Sequence, residues 1–254
     1  MPGLRSWLDV VWVVWLAWIF DAINNLGEVR QGLAETHGRE LLDLERALHL
    51  APEHALNTWV AAHHALTEVV VFWYTNAHGT VTFGLIAWLW WRRPELLPPL
   101  RAALIAVNLA GLAVFWTWPV APPRMLQNPQ FLDLAALVRG ESPHWPPGAV
   151  SLDANQLSAF PSLHIAWAVW STIVLFRLSN RRPVRALAVL HPLVTGFAVM
   201  STANHYLADG VAGGVLAAVA VVIADRTWSR RPGPGTLTPS GVGRSHPAEP
   251  HGFR

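Results

Sequence analysis

Two histidines and one carboxylate carry the chemical possibilities of this chain. His164 lies in the stretch Phe160 to Trp167, and His205 lies in Thr202 to Gly210 with Asp209 four residues later. On a helix a four-residue interval places two side chains on one face within reach. A carboxylate that holds one imidazole nitrogen fixes the tautomer and leaves the other nitrogen free as nucleophile or base. A lone H-x-x-x-D pair also arises from packing, so the neighbours decide its meaning. Pro161 suits the first turn of a helix, and Ser162 with the first free N–H groups would then face outward, which favours an anion. His164 falls in that turn, placed to act as general acid toward a leaving oxygen or simply to cap the helix. Arg124 follows Trp118-Pro119-Val120-Ala121-Pro122-Pro123. Its planar fork matches phosphate oxygens, although a lone arginine at an interface also serves as a headgroup anchor.

The elements that position these residues are membrane spans. Of 254 residues 52% are hydrophobic and 13% charged, with 15 Trp. Soluble domains carry about 25% charged residues; this chain carries half that, and its mean hydropathy is +0.31. Apolar segments long enough to cross a bilayer fall at roughly 4–23, within 69–91, and at 102–118, 162–178, 186–204 and 206–228. The first ends at Asp21 and Asn24-Asn25 without a small-residue cleavage site, so it reads as an uncleaved span. The segment within 69–91 ends in Trp88, Trp90, Trp91, Arg92 and Arg93, an interfacial anchor. The expected fold is an all-α polytopic membrane protein of about six transmembrane helices. Residues 28–66 add an amphipathic or re-entrant region, because Leu41, Leu44, Glu45, Leu48 and His49 recur at helical spacing. A separate span over 56–76 would make seven.

Arginines orient the bundle. Arg92, Arg93 and Arg101, then Arg177, Arg181, Arg182 and Arg185, then Arg226, Arg230 and Arg231 follow alternate spans and belong on one side, the cytoplasmic one. The connection 119–160 and the ends bearing His164 and His205 then face away from the cytoplasm. Residues 1–231 form a single integral membrane domain. Residues 232–254, rich in Pro, Gly and Ser, read as a disordered cytoplasmic tail.

Several function classes drop out. No Cys occurs, which removes thiolate metal sites and cysteine nucleophiles. All 18 basic residues are Arg and the net charge is only +2, with no basic-aromatic cluster, so no nucleic-acid partner is expected. His63 and His64 are adjacent and diverge on a helix, which makes them structural or interfacial. His191, followed by Pro192 in mid-span, reads as structural, and the spacing assigns His78 nothing. Gly210, Gly214 and Ala218 form a small-residue stripe for helix packing.

Three motifs in order, Pro122-Pro123-Arg124, Pro161-Ser162-Leu163-His164 and Asn204-His205-Tyr206-Leu207-Ala208-Asp209, resemble those of the type 2 phosphatidic acid phosphatase superfamily. The match is nearest to its inositol phosphorylceramide synthase-like (inositolphosphotransferase) branch in bacteria. They span about a third of the chain. The resemblance implies that His205 attacks phosphorus to give a phosphohistidine, with Asp209 orienting it. It implies that His164 protonates the departing alkoxide and then activates water or an alcohol acceptor. Arg124, Ser162 and Asn204 would bind the substrate, without a metal or other cofactor. The substrate would be a membrane lipid reached from the bilayer. Two cations of the phosphatase-type motifs are replaced, a Lys by Thr117 and a Ser-Arg pair by Ala198-Val199. Those replacements, with Leu163 in place of the commoner Gly, resemble the synthase-like branch.

Two other classes of function compete with a lipid phosphatase or phosphotransferase. A haem- or metal-binding protein would use His164 and His205 as ligands and have no need of Arg124 or Ser162. A transporter with a buried proton relay would need polar residues along a path, whereas Val215 to Ala224 is nearly uniform Val and Ala. The oligomeric state has no signature in the sequence.

Overall fold

The apolar runs become helices wherever a cap or proline can start them and a polar break can end them. A computed structural model describes residues 30–126, 130–144 and 154–230. Eight α-helices follow in order: α1 (Gln31–Ala47), α2 (Glu53–Ala61), α3 (His64–Arg92), α4 (Leu97–Thr117), α5 (Leu134–Val138), α6 (Leu163–Leu178), α7 (Arg182–Ser201) and α8 (Leu207–Ser229). Among the described residues there is no β-strand beyond one isolated bridge between Val120 and Ser158. The all-α expectation therefore holds.

α4, α7 and α8 are long and apolar enough to cross a membrane, with mean hydropathies of 1.7, 1.5 and 2.2, and α6 is a shorter apolar helix. α3 spans 29 residues, ample in length at 1.5 Å per residue, but Glu68, Asn76 and His78 dilute its apolar character. The expected segment over 4–23 and the tail 232–254 lie outside the described residues. A separate span over 56–76 does not form, since the chain breaks at Ala62 and His63 between α2 and α3.

α4, α6 and α8 share one core in which Leu100, Val107, Trp170, Val174, Ala217 and Val221 interlock. Trp170 anchors it by donating Nε1–H to the Leu100 carbonyl at 2.9 Å. Small residues of α8 let α6 approach closely: Gly210 and Gly214 of the expected stripe lie beside Ile165 and Val169, while the tightest approach falls at Gly213. Gly213, Ala217 and Ala220 are the buried positions, while Ala218 is exposed. Asp209 sets that phase: it is turned inward, so the residues four and eight positions on must face α6 as well. Leu187, Leu190 and Leu193 of α7, with Val211, Val215 and Val219 of α8, face outward, as lipid-facing side chains do.

α1 buries a different face from the one its leucine spacing suggests. Leu41 and Glu45 are buried as expected, together with Ala34, Gly38 and Leu42, while Leu44 and Leu48 stand more than half exposed. Gly38 explains the choice. A Cβ there would sit 2.6 Å from the Ala121 carbonyl and 2.8 Å from the Tyr206 hydroxyl, so only glycine lets this face dock.

α6 and α8 end together, because Arg177 pairs in bidentate fashion with Asp225 at 3.0 and 2.6 Å. The arginine-bearing ends thus gather opposite the end that holds the starts of α6 and α8.

Candidate active site

Three chain segments meet at that other end and are stitched by backbone hydrogen bonds. Val120 N donates to Leu157 O at 2.9 Å, and Ala159 N returns to Val120 O at 3.0 Å. Arg124 N donates to Ala203 O, and Ser162 N to Asp209 O, each at 3.0 Å. Residues distant in sequence are thereby fixed side by side through main-chain groups that no side-chain substitution removes. Ala203 adopts a φ of 52°, a left-handed conformation unusual for a residue with a Cβ. It turns the chain out of α7 so that the Asn204 and His205 N–H groups both reach Val199 O, at 3.1 and 3.2 Å.

His205 and Asp209 do meet, but not as two residues on one helical face. His205 precedes α8, and Asp209 is its third residue, closing a capping box in which its Oδ2 accepts the Tyr206 N–H at 2.9 Å. That cap swings the carboxylate back over the chain entering the helix, and the same Oδ2 lies 3.3 Å from His205 Nδ1. A closer partner was invisible in the sequence: the Ala159 carbonyl oxygen, 2.8 Å from Nδ1. A carbonyl only accepts, so Nδ1 carries the proton and Nε2 of the neutral ring holds the lone pair. Nε2 faces His164 Nδ1 at 3.3 Å, which makes His164 the donor of that bond.

His164 stands in the first turn of α6. Ser162, not Pro161, takes the N-cap, and its Oγ accepts the Ile165 N–H at 3.4 Å. A short hydroxyl satisfies an orphan N–H that proline leaves untouched. Ser162 is fully buried and does not line the cavity. The His164 ring is held by two side chains of α3: Tyr74 stacks on it at 4.7 Å, and His78 meets it edge-on at 4.2 Å.

These rings border a cavity of about 300 Å³. Arg124 and Asn204 line it as well, with Asn108, Gln156, Ser158 and the apolar Phe115, Leu163 and Trp167. Arg124 is anchored by Asp133, whose Oδ2 lies 3.3 Å from its Nε, while its Nη1 is buried without a partner. Asp133 is itself held as the N-cap of α5, where Oδ1 accepts from Ala135 N and Ala136 N. Among the described residues no group of His, Asp or Glu is arranged to hold a metal ion.

Behind the site two more carboxyl groups cap α8. Glu53 Oε1 accepts the Leu207 N–H at 2.8 Å, and Glu45 Oε1 accepts the Ala208 N–H at 2.6 Å. Burial pushes the Glu45 carboxyl up to about 8, and the nearby charges of Glu53 and Asp209 add to that shift. Glu53 is raised as well, again chiefly by burial. The second oxygen of each carboxyl, Glu45 Oε2 and Glu53 Oε2, is buried without a hydrogen-bond partner.

The structure therefore brings His164, His205, Asp209, Arg124 and Asn204 together, with Ser162 supporting them from below. His191 stays outside the cavity against Trp73, and His63 and His64 lie on exposed ground. Sequence reasoning missed Tyr74, Ala159, Asp133 and Glu53. The signal for the carboxylates was present, since an acidic residue in an apolar setting needs a reason.

A helical bundle of membrane character with a histidine–carboxylate–arginine cavity at one end is the class that fold and site define. The chain belongs to the PAP2 superfamily, whose sequence pattern matches residues 39–223. Its fold is similar to the crystal structure of Aquifex aeolicus LpxE, with a TM-score of 0.51 and 18% sequence identity over 68% of this chain and 92% of that one. No curated protein sequence matches the chain.

Proposed function

We propose that this protein is a membrane lipid phosphatase or phosphotransferase that works through a phosphohistidine at His205. The observation that carries the reading is the His205 ring. Its Nδ1 proton is committed to Ala159 and Asp209, and its Nε2 lone pair is turned toward His164 at the cavity. A phosphoryl group entering between the two rings meets a nucleophile on one side and an N–H donor on the other. Nε2 forms the new bond to phosphorus as the bond to the ester oxygen breaks. That oxygen takes a proton from His164, which enters the step as the imidazolium and leaves it neutral. Water, or an alcohol acceptor in a transferase, then gives its proton back to His164 and displaces the phosphoryl group from Nε2. Two modest steps replace one difficult displacement. Arg124, with Nη1 unpartnered, offsets the charge that develops on the phosphoryl oxygens. Ser162 contributes by capping the helix that carries His164, and Asn204 by its place on the cavity wall.

The substrate class follows from family membership and from the apolar walls of the cavity, which suit a phosphate carried on a lipid. Thr117, Ala198 and Val199, which stand where phosphatase-type relatives have polar or cationic residues, favour the transferase version. The arginine distribution favours an extracytoplasmic site. A haem reading is weakened by the two imidazoles, which face each other at hydrogen-bond distance and leave no room for a macrocycle between them.

The test is phosphate release from a panel of lipid phosphates and diphosphates by purified protein in the presence of EDTA, alongside His205→Ala. Release that survives chelation and is lost in the variant supports the reading. Release that persists in His205→Ala would sink it. A transferase would release little phosphate until an alcohol acceptor is supplied.

A further inference from the structure

We infer that His78 is a phosphate-binding residue: its imidazole N–H donates to an oxygen of the phosphate monoester that enters the cavity. The inference deepens the proposed function and rests on it for the identity of the ligand.

Charge is the starting point. A phosphate monoester carries between one and two negative charges near neutral pH. Among the described residues lining the cavity, Arg124 is the sole permanent charge, and no carboxylate faces it there. Arg124 also shares its Nε with Asp133 at 3.3 Å, so part of its charge is already offset. Of the three imidazoles on the cavity wall, His205 and His164 are bonded to each other and occupied by the displacement itself. His78 is the one left over.

Its placement fits a binding role. Tyr74 and His78 lie one turn apart on α3, so both rings reach the same neighbour. The His78 ring touches His164 at 4.2 Å between centroids and Trp167 at 5.6 Å. Two aromatic contacts fix its plane at the cavity edge, beside the group that protonates the leaving oxygen. Its Nδ1 is enclosed on the helix side near the Tyr74 carbonyl, so Nε2 is the ring nitrogen left to meet a ligand at the cavity wall. Neutral imidazole always offers one N–H, and phosphate oxygens only accept from it.

A ring that merely props up His164 would also pack this way, so the test separates shape from hydrogen bonding. The full chain in detergent micelles would be compared with His78→Phe, which keeps a ring against His164 and Trp167, and with His78→Gln, which keeps an N–H donor. Inorganic phosphate binding would be measured by calorimetry, and KM and kcat with a short-chain phosphatidate. His78→Phe is expected to weaken inorganic phosphate binding and raise KM by about tenfold or more, the loss typical of one hydrogen bond to a charged group. Its kcat should stay within about threefold, because binding common to ground and transition states is what is removed. His78→Gln should recover part of the affinity. Should His78→Phe fail to fold, His78→Gln carries the same comparison with a smaller expected loss.

Unchanged phosphate affinity in His78→Phe overturns the inference, as does a wild-type protein that binds no phosphate at millimolar concentration. A raised KM for phosphatidate with unaltered inorganic phosphate binding would also overturn it, by placing His78 against the glycerol or chain. If no lipid yields phosphate but inorganic phosphate still binds in a His78-dependent way, the proposed reaction fails and the assignment of His78 stands.

Discussion

The backbone carbonyl of Ala159 lies 2.8 Å from His205 Nδ1, closer than the 3.3 Å to the Asp209 carboxylate. The tautomer of His205 is therefore set by a main-chain group as well as by the acid. Asp209→Asn should keep the ring correctly protonated and lose only the stabilisation of the imidazolium, so turnover should fall by about a hundredfold. His205→Ala should abolish it. Phosphate release by the two variants, measured side by side, checks this; equal losses would mean that the Ala159 contact does not hold the ring.

Arg124 is held on one edge by Asp133, leaving Nη1 free. A lysine cannot bond Asp133 and still present a second donor to the cavity. Arg124→Lys is expected to cost at least about tenfold in kcat/KM, more than a change of charge-preserving residue ordinarily suggests. Asp133→Asn should raise KM by less, because the N-cap bonds to Ala135 and Ala136 survive with an amide oxygen. Steady-state kinetics on the three proteins distinguish these outcomes. A fully active Arg124→Lys would remove Arg124 from the phosphate site.

Much of this was legible because some residue types carry their reason with them. Apolar runs of membrane length gave α4, α6, α7 and α8, and His164, His205, Asp209 and Arg124 stood out as polar groups in apolar surroundings. What sequence could not supply was the phase and partner of each group. His205 and Asp209 looked like neighbours on a helical face, yet a capping box brings them together. Gly210 and Gly214 looked like the packing stripe and do flank α6 at Ile165 and Val169, yet the inward turn of Asp209 gives the buried positions to Gly213 and Ala217. Tyr74 and His78 reach His164 across separations of 90 and 86 residues, and Asp133 reaches Arg124 nine positions away, pairings for which no local periodicity exists.

Gly213 offers a sharp test of that phase. A Cβ on it would collide with the Ser162 carbonyl oxygen, a backbone atom at the N-cap of α6. Glycine to alanine within a helix normally stabilises by about 1 kcal/mol. Here the sign should reverse, with a net loss of about 1–3 kcal/mol from overpacking and a fall in activity as His164 is displaced from His205. At Gly214 the nearest atom to a new Cβ is Val169 Cγ2 at 3.6 Å, an ordinary contact, so Gly214→Ala should be neutral or stabilising. Thermal unfolding of the two variants in detergent decides between this register and the one expected from sequence, in which the order would be reversed.

Glu45 makes the stability of the bundle depend on pH. Burial holds its carboxyl at about 8 in the folded chain, against 4.5 in the unfolded one. A group whose folded value is raised contributes stability that is complete below the unfolded value and lost as pH rises through the folded value. The protein should therefore weaken progressively from about pH 5 to pH 9, as ionised Glu45 comes to face Glu53 and Asp209 without a cation. Gln is nearly isosteric with the neutral acid, and its carbonyl can accept the Ala208 N–H. Glu45→Gln should accordingly match wild type near pH 5 and exceed it near pH 9, whereas Glu45→Ala should be less stable at both by leaving the Ala208 N–H buried and unsatisfied. Melting temperatures across that range check the sign; a Glu45→Gln variant that loses stability in parallel with wild type would mean that the proton sits elsewhere in the cluster, on Glu53 or Asp209.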